Sequence, residues 1–295
     1  MAVYDLKTGR EIEHIDLPVS VALGNFDGLH IGHRELIRQA KCSDNKCCVF
    51  TFRQNPFGSP RIIGIEKKLE LLKNMGIDYA CVYDFAEIKD MPYEIFLSDI
   101  LVKELNCVKA VCGFNFRFGK NAEGDSKKLK EYMISCGREA VICDAVGYRG
   151  KTVSSSRIRD CLASGDIENA NAMLGRAYSV DYHVSHGNKI GRKLGFPTVN
   201  QAYDPVSVKL PYGVYVCSCM GHPAITNFGV RPTVTDKNEP FFETYILDYD
   251  GDLYGEDISV DFHLMIRPEK KFSTYEELSR QIALDVEKTK EYFAK

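Results

Sequence analysis

The sequence contains no tryptophan, no run of basic residues and no apolar stretch of membrane-spanning length. A helix needs about 20 apolar residues in succession to cross a bilayer, so we expect no membrane-embedded segment. The net charge of −3 at pH 7, without a basic run, argues against extended nucleic-acid binding. The first ten residues are polar and charged, unlike a secretory signal, and we expect a cytoplasmic protein.

The sequence also lacks any Cys-x-x-Cys pair, although it contains 11 cysteines, an odd number. Most of them lie inside apolar runs, where a reduced thiol packs as a small hydrophobic group. Cys217 and Cys219 fall within an alternating strand pattern rather than a metal-binding knuckle. These features predict structural thiols in a reducing compartment and no zinc site.

The first half of the chain alternates short apolar runs with helical patterns. Strands are predicted at residues 19–24, 47–52, 79–83, 107–112 and 139–143, and helices at 31–41, 66–75, 92–105 and 126–136. Such alternation is typical of an α/β domain with a parallel sheet and helices on both faces.

The pattern changes after about residue 175. Residues 212–219, 224–228, 242–249 and 258–266 read as strands with no helix between them, which predicts a small antiparallel β-barrel. A final helix is predicted from a capping box at Ser273 and Glu276 to about Phe293. We therefore expect two domains, residues 1–175 and 176–295, which a chain of 295 residues can accommodate.

Residues 187–200 combine glycines, cations and oxygen ligands in one short segment. Three glycines at a spacing of four let the backbone approach phosphate oxygens, and the interspersed cations balance phosphate charge. Thr198 and Asn200 are plausible oxygen ligands for Mg²⁺. The pattern indicates a nucleotide and magnesium, and ordinary turn chemistry is the alternative.

A second glycine-rich segment, residues 24–33, lies where a predicted strand gives way to a helix. Ligands bind at the carboxyl ends of parallel strands, and helix N-termini attract phosphate. His30 and His33 are three residues apart, so both face one side of the first helical turn. Gly32 between them leaves room for a nucleotide, while a metal pair or a capping cluster is the alternative.

The segment 187–200 resembles the phosphate-binding segment of riboflavin kinases, including their Gly-Arg-x-Leu-Gly-Phe-Pro-Thr-x-Asn core. The resemblance implies that Thr198 and Asn200 hold Mg²⁺ and that Glu243 is the general base, with an ordinary edge-strand carboxylate as the alternative for Glu243. The implied kinase ATP site comprises Gly187, Lys189, Gly191, Arg192, Gly195, Phe196, Pro197, Thr198 and Asn200. Segments 227–233, 252–255 and 267–272 also match this family, and Arg267, Glu269 and Phe272 are implied to contact the flavin.

The segment 24–33 resembles the flavin adenylyltransferase branch of the His-x-Gly-His nucleotidyltransferases. The resemblance implies that His30 and His33 steady ATP phosphates, that Arg157 reaches them too, and that Asn115 lies near the flavin. Its implied ATP site comprises Gly24, Asn25, Phe26, Asp27, Gly28, His30, His33, Ser155 and Arg157. One position departs from the family, because Asn55 stands where relatives usually have histidine.

The two resemblances cover residues 16–293 and imply a bifunctional enzyme. Riboflavin and ATP would give FMN in the barrel, and FMN and ATP would give FAD in the N-terminal domain, with Mg²⁺ at both sites. Without tryptophan, flavin stacking would fall to the 16 Phe and 16 Tyr. The expected partners are small molecules, and the expected state is a monomer or weak homo-oligomer. Two alternatives are a monofunctional riboflavin kinase with a scaffold N-terminal domain and a flavin-binding regulator without turnover.

Overall fold

The structure is a computed structural model that describes residues 2–185, 195–230 and 240–294, apart from the side chain of Phe57. The chain divides into two compact units, Met1–Ser155 and Ser156–Lys295. Residues 156–175 therefore group with the barrel by their contacts. The domain boundary at 175 that the sequence suggests stays a prediction, for which limited proteolysis is the direct measurement.

The first unit is built on a seven-stranded sheet in the order β2-β1-β5-β4-β3-β6-β9. Strands β3, β4, β5, β6 and β9 are parallel, as predicted, whereas β1 and β2 add an antiparallel edge that the sequence reading missed. The strands of this unit are β1 (Ala2–Asp5), β2 (Arg10–Ile12), β3 (Val19–Leu23), β4 (Lys46–Phe52), β5 (Tyr79–Tyr83), β6 (Cys107–Gly113), β7 (Arg117–Phe118), β8 (Gly124–Asp125), β9 (Glu139–Cys143), β10 (Gly147–Tyr148) and β11 (Lys151–Thr152).

Helices cover the sheet and meet it through buried apolar stripes. They are α1 (Ile31–Lys41), α2 (Ile65–Asn74), α3 (Phe85–Ile88), α4 (Tyr93–Ile95) and α5 (Ser126–Ser135). The helix predicted over 92–105 is confirmed, and most of it, Phe96–Glu104, is a π-helix. The wider turn still buries one face of this segment in the core.

Every residue of β3 is buried, as expected for a central parallel strand packed on both faces. The strand ends at Leu23, and the chain then passes directly into the loop before α1. The sheet thus fixes the position of residues 24–30 rigidly.

The second unit contains a closed barrel of six strands in the order β12-β13-β16-β15-β14-β17. All neighbouring strands are antiparallel, which confirms the predicted barrel and adds two strands at its start. Its elements are α6 (Ser155–Ser164), α7 (Ile167–Leu174), β12 (Tyr178–Ser185), β13 (Thr198–Ala202), β14 (Gly213–Cys219), β15 (His222–Val230), β16 (Pro240–Ile246), β17 (Asp257–Pro268) and α8 (Tyr275–Phe293).

Aromatic rings fill the barrel interior. Phe228 and Phe242 stack with centroids 4.4 Å apart, and Phe242 meets Phe262 edge to face at 5.7 Å. Because side chains alternate along a strand, the neighbours of these residues project from the outer face. Glu243 is such a neighbour.

Helix α8 packs on the outside of the barrel, against β14 and β15. Val214 and Ile225 meet Val286 there, and half-buried Ile282 borders the contact. The predicted capping box is wrong by one residue, because Thr274 is the N-cap and its hydroxyl accepts the N–H of Glu277. The Glu277 carboxylate reaches back to the N–H of Ser273.

Candidate active sites

The loop between β3 and α1 has an unusually constrained backbone. Phe26, Gly28 and Leu29 all have positive φ, at 53°, 82° and 44°. Left-handed backbone at non-glycine residues is strained and is concentrated at functional sites. Phe26 is fully buried and its ring lies 5.0 Å from that of His33, so packing holds the strained loop in place.

The two histidines of the loop form a stacked pair at the start of α1. Their ring centroids are 3.6 Å apart with an interplanar angle of 13°. His30 is the N-cap of α1, and its Nδ1 accepts the backbone N–H of His33 at 3.2 Å. This bond places the proton of a neutral His30 on Nε2, the atom free to donate to a ligand.

Burial lowers the pKa of His30 to about 4, against a smaller opposing effect of Asp27. Burial, then the neighbouring His30 and Lys68, lower the pKa of His33 well below its usual range. Both imidazoles are therefore neutral at pH 7. They can offer N–H donors to phosphate without acting as resident cations.

Gly32 provides room for the His30 ring, and the room for a nucleotide that the sequence suggests stays a prediction. A Cβ at Gly32 would lie 3.1 Å from Cε1 and 3.2 Å from Nδ1 of His30. The glycine thus allows the ring to lie over the first turn of α1, where it can stack on His33.

A network of amides fixes the other half of the loop. Asp27 is buried, and its Oδ1 accepts the N–H groups of Ile62 and Ile63 at 2.9 and 3.4 Å. Asn55 donates to Asp27 Oδ2 at 2.8 Å and accepts from Asn25 Nδ2 at 2.7 Å. The residue that departs from the family pattern therefore links both polar side chains of the loop.

Two buried polar atoms of this loop have no partner within the described residues: Asn25 Oδ1 and His33 Nδ1. Native proteins rarely leave buried polar atoms unsatisfied. Unsatisfied polar atoms beside a constrained loop are expected where a bound ligand supplies the missing hydrogen bonds.

Ser155 donates to the carbonyl oxygen of Asp27 at 2.8 Å, so this predicted site residue does contact the loop. Arg157 follows in helix α6 but belongs to the second compact unit, and its predicted role stays a prediction. Gly24 lies at the end of β3, where its N–H donates to the carbonyl of Phe50 at 3.3 Å.

Asn115 lies in a turn that follows β6, where the N–H of Phe116 donates to the carbonyl of Gly113 at 3.0 Å. Asn115 is exposed, and Phe114 beside it has 52 % of its surface exposed. Phe116 and Phe118 stack at 5.4 Å below the turn. The turn therefore presents an amide and an aromatic face at a carboxyl strand end, consistent with contact to a planar ring.

Sequence reasoning missed Lys68, which is 3 % exposed. Its ammonium donates to the carbonyls of Asn25 and Phe52 and to the hydroxyl of Thr51, each at 3.0 Å. Burial lowers the pKa of Lys68 to about 8. The signal was present, because Lys68 stands three residues after Ile65 and four before Leu72, on the buried stripe of α2.

On the barrel, three side chains form a row across adjacent strands. Asn200 on β13 and Asn227 on β15 each lie directly opposite Glu243 on β16. Directly opposed residues project from the same face, with Cβ atoms about 5 Å apart. The sequence predicts Glu243 at the start of its strand, but the residue lies in the middle of β16. An amide side chain flanks it on each neighbouring strand.

A cavity of about 320 Å³ is lined by other residues of β13 and β16. Pro197, Thr198, Val199 and Thr244 line one wall, and the loop 249–254 lines the other. Thr198 stands two residues before Asn200 on β13, and Asn200 is paired with Glu243 on β16. Thr198 therefore projects from the same face as Asn200 and Glu243. Of the predicted kinase-site residues, Pro197 and Thr198 line this cavity. Asn200 lies two residues further along the same strand, and Gly187, Lys189, Gly191 and Arg192 lie outside the described residues.

Phe196 packs edge to face on Tyr245 at 5.5 Å and borders the apolar contact with α8. Gly195 before it has a φ of 83°, which permits the turn into β13. These two residues shape the entry of the strand that carries Thr198.

Arg267 forms an ion pair with Asp285, a residue of α8 that is 1 % exposed, through Nε at 2.9 Å and Nη2 at 2.8 Å. Its guanidinium also lies 5.8 Å from the ring centroid of Phe272. Glu269 lies over Gly229, where a Cβ would be 2.6 Å from its carboxylate. Glu269 therefore borders the strand that carries Asn227, Phe272 lies beside Arg267, and Arg267 ties α8 to the barrel.

All 11 cysteines carry free thiols. Within the described ranges, no three His, Cys, Asp or Glu side chains cluster as a metal site requires. In the same part of the chain, no helix has the length and apolar character needed to cross a bilayer.

The fold and the two sites define a class: a nucleotide-binding α/β domain joined to a six-stranded barrel with a second polar site. Residues 12–157 match the FAD synthetase family, and residues 174–293 match the riboflavin kinase family. The bifunctional riboflavin kinase/FMN adenylyltransferase of Escherichia coli K12 is 32 % identical over 92 % of both chains. The Bacillus subtilis enzyme of the same name is 31 % identical over 93 % of this chain and 92 % of its own. The chain belongs to this bifunctional family.

A solved structure from Streptococcus pneumoniae, titled a macrolide-efflux protein, has the same fold. It is 29 % identical, with a TM-score of 0.82 over 93 % of this chain and 96 % of that one.

Proposed function

We propose that the chain synthesises both flavin cofactors, forming FMN from riboflavin in the barrel and FAD from FMN in the N-terminal unit. The observation that carries this proposal is the presence of two polar clusters among the described residues, one in each family-matched region. The stacked histidines lie at a helix N-terminus, and Glu243 lies opposite an amide on each neighbouring strand.

In FAD formation, a phosphate oxygen of FMN attacks the α-phosphorus of ATP, and the bond to the β-phosphate breaks to release pyrophosphate. Negative charge builds on the leaving group, and neutral imidazole N–H donors can stabilise it without a proton transfer. His30 is prepared for this role because its Nδ1 is occupied and its Nε2 carries the proton. The α1 N-terminus adds a favourable dipole.

In FMN formation, the 5′-hydroxyl of riboflavin attacks the γ-phosphorus of ATP, and ADP leaves. Glu243 accepts the hydroxyl proton as the new O–P bond forms. Asn200 and Asn227 flank the carboxylate and restrict its orientation. General-base catalysis of this kind contributes roughly 10²–10⁴-fold in rate.

The residues present fit Mg²⁺ at the barrel site. Thr198 and Asn200 offer hard oxygen donors on one face of β13, and Thr198 lines the cavity. Mg²⁺ uses few protein ligands when phosphates supply the others. When bound, Mg²⁺ neutralises phosphate charge. The flavin contacts of Asn115, Glu269 and Phe272 belong to the same proposal.

The test is separation of flavins after pure protein is mixed with ATP, Mg²⁺ and either riboflavin or FMN. We expect FMN and then FAD from riboflavin, and FAD from FMN. A monofunctional kinase would stop at FMN, and a regulator would consume no ATP. Either result would overturn the bifunctional proposal.

A further inference from the structure

Lys68 is a buried cation whose hydrogen bonds all go to neutral oxygens. Two are main-chain carbonyls, of Asn25 and Phe52, and the third is the hydroxyl of Thr51. Among the described residues, no carboxylate forms an ion pair with it. A buried charge without a direct counter-ion is costly, so proteins retain one chiefly where its charge is used.

The carboxylate of Asp27 acts electrostatically on Lys68 and favours its charged form. The Asp27 carboxylate is already engaged by the N–H groups of Ile62 and Ile63 and by Asn55. Lys68 in turn acts electrostatically on His33, whose pKa it helps to lower. The positive potential of Lys68 therefore extends into the loop that carries the stacked histidines.

Lys68 also fixes the backbone of that loop. Its ammonium and the Thr51 hydroxyl both donate to the carbonyl oxygen of Asn25, at 3.0 and 2.7 Å. The carbonyl is thereby turned toward the interior, and Asn25 stands one residue before the left-handed Phe26. The same side chain thus supplies charge and holds the strained backbone.

We propose that Lys68 is a positioning residue for FAD formation, one that holds the loop and provides a positive charge for the triphosphate that the neutral histidines do not supply. This inference rests on the proposed FAD-forming function. In this proposal His30 and His33 provide directed N–H donors, and Lys68 provides a positive electrostatic potential at the same loop.

The test compares Lys68→Met with wild type in FAD formation at saturating FMN. Two inhibitors competing with ATP serve as probes, inorganic tripolyphosphate and adenosine. We expect the inhibition constant of tripolyphosphate to rise about tenfold or more, and that of adenosine to stay within about twofold. Lys73→Met, an exposed lysine in the last turn of the same helix, is the matched control and should change neither constant.

Lys68→Gln separates charge from hydrogen bonding, because the amide still donates to the loop carbonyls. It should show the same selective loss for tripolyphosphate, and it replaces Lys68→Met if that variant does not fold. Riboflavin phosphorylation by the same protein should be unchanged.

Equal weakening of both probes would mean a purely structural role and would overturn the inference, as would no change in either. If wild type forms FMN but no FAD, the proposed function itself fails and the inference fails with it. If wild type forms FAD and the Lys68 variants have unchanged inhibition constants, the role of Lys68 is refuted while the proposed function stands.

Discussion

Asn200 lies directly opposite Glu243 in the antiparallel register of β13 and β16. One is the proposed magnesium ligand and the other the proposed base, so the register of a single strand pair places these two side chains next to each other. The arrangement requires the barrel to close, because the two residues are far apart in the sequence. Asn200 and Glu243 project from the outer face, since aromatic rings on the alternate positions fill the barrel interior.

Glu243→Gln should lower the kcat of riboflavin phosphorylation by roughly 10²–10⁴-fold, because the amide keeps the shape but cannot accept the proton. Steady-state kinetics of both half-reactions provide the measurement, and FAD formation from supplied FMN should be unaffected. Glu256→Gln, an exposed carboxylate of the same barrel, is the control. A near-normal kcat for Glu243→Gln would remove this residue from the mechanism.

The buried His30 makes stability depend on pH in a defined direction. Its pKa is about 4 in the folded chain and 6.5 by ordinary reference, so the unfolded state binds more protons between these values. The free energy of unfolding therefore falls as pH drops from 6.5 to 4, by about 3 kcal/mol from this group.

His30→Asn should reduce that pH dependence, because asparagine retains an N-cap acceptor but does not titrate. Urea unfolding at pH 7 and pH 4.5 measures the change. FAD formation should fall sharply while FMN formation remains. Identical pH slopes for the variant and wild type would contradict the prediction.

Local patterns were enough to predict much of this molecule. The parallel strands and the His30–His33 pair follow from periodicity and contiguous motifs, and the structure places the pair on one helical turn. Lys68 and Asn55 were not understood from sequence, because their partners lie on other segments. Which carbonyl a buried lysine meets depends on how α2 packs, which no local pattern encodes.

The remaining errors have similar causes. The N-cap of α8 was placed at Ser273, because Ser273 and Thr274 each have a glutamate three residues later and only backbone geometry decides between them. Strands β1 and β2 are short, with four and three residues, so the sequence gives only a weak signal for them.

Asn55→Ala should loosen the loop, because Asp27 Oδ2 loses a donor and Asn25 loses its acceptor. We expect a loss of about 1–3 kcal/mol in the free energy of unfolding and a weaker FAD-forming activity. Asn55→His should be intermediate, since one imidazole cannot also reach the carbonyls of Ser59 and Pro60 that Asn55 contacts. The exposed neighbour Gln54→Ala is the control, and equal effects of Gln54→Ala and Asn55→Ala would contradict the assignment.

Gly32→Ala should separate stability from activity. Alanine favours the helix by about 0.5–1 kcal/mol over glycine, yet its Cβ would lie 3.1 Å from the His30 ring and push it off His33. We therefore expect unchanged or raised melting temperature with reduced FAD formation. Gly147→Ala, whose Cβ meets nothing closer than 3.9 Å, serves as the control. Full FAD-forming activity in Gly32→Ala would show that the ring stack is dispensable.

Arg267→Met should cost about 3–5 kcal/mol in unfolding free energy, because it leaves the Asp285 carboxylate buried without its partner. The double variant Arg267→Met/Asp285→Leu removes both charges and should recover most of that stability. The proposed flavin contact predicts more: the double variant should keep a raised KM for riboflavin, because Phe272 has lost the guanidinium beside its ring. Denaturant unfolding and riboflavin titrations on both variants give the two readouts, with FAD formation from FMN as the internal control. If stability and KM recover together, Arg267 serves only to hold α8 on the barrel, and flavin contact would rest on Glu269 and Phe272.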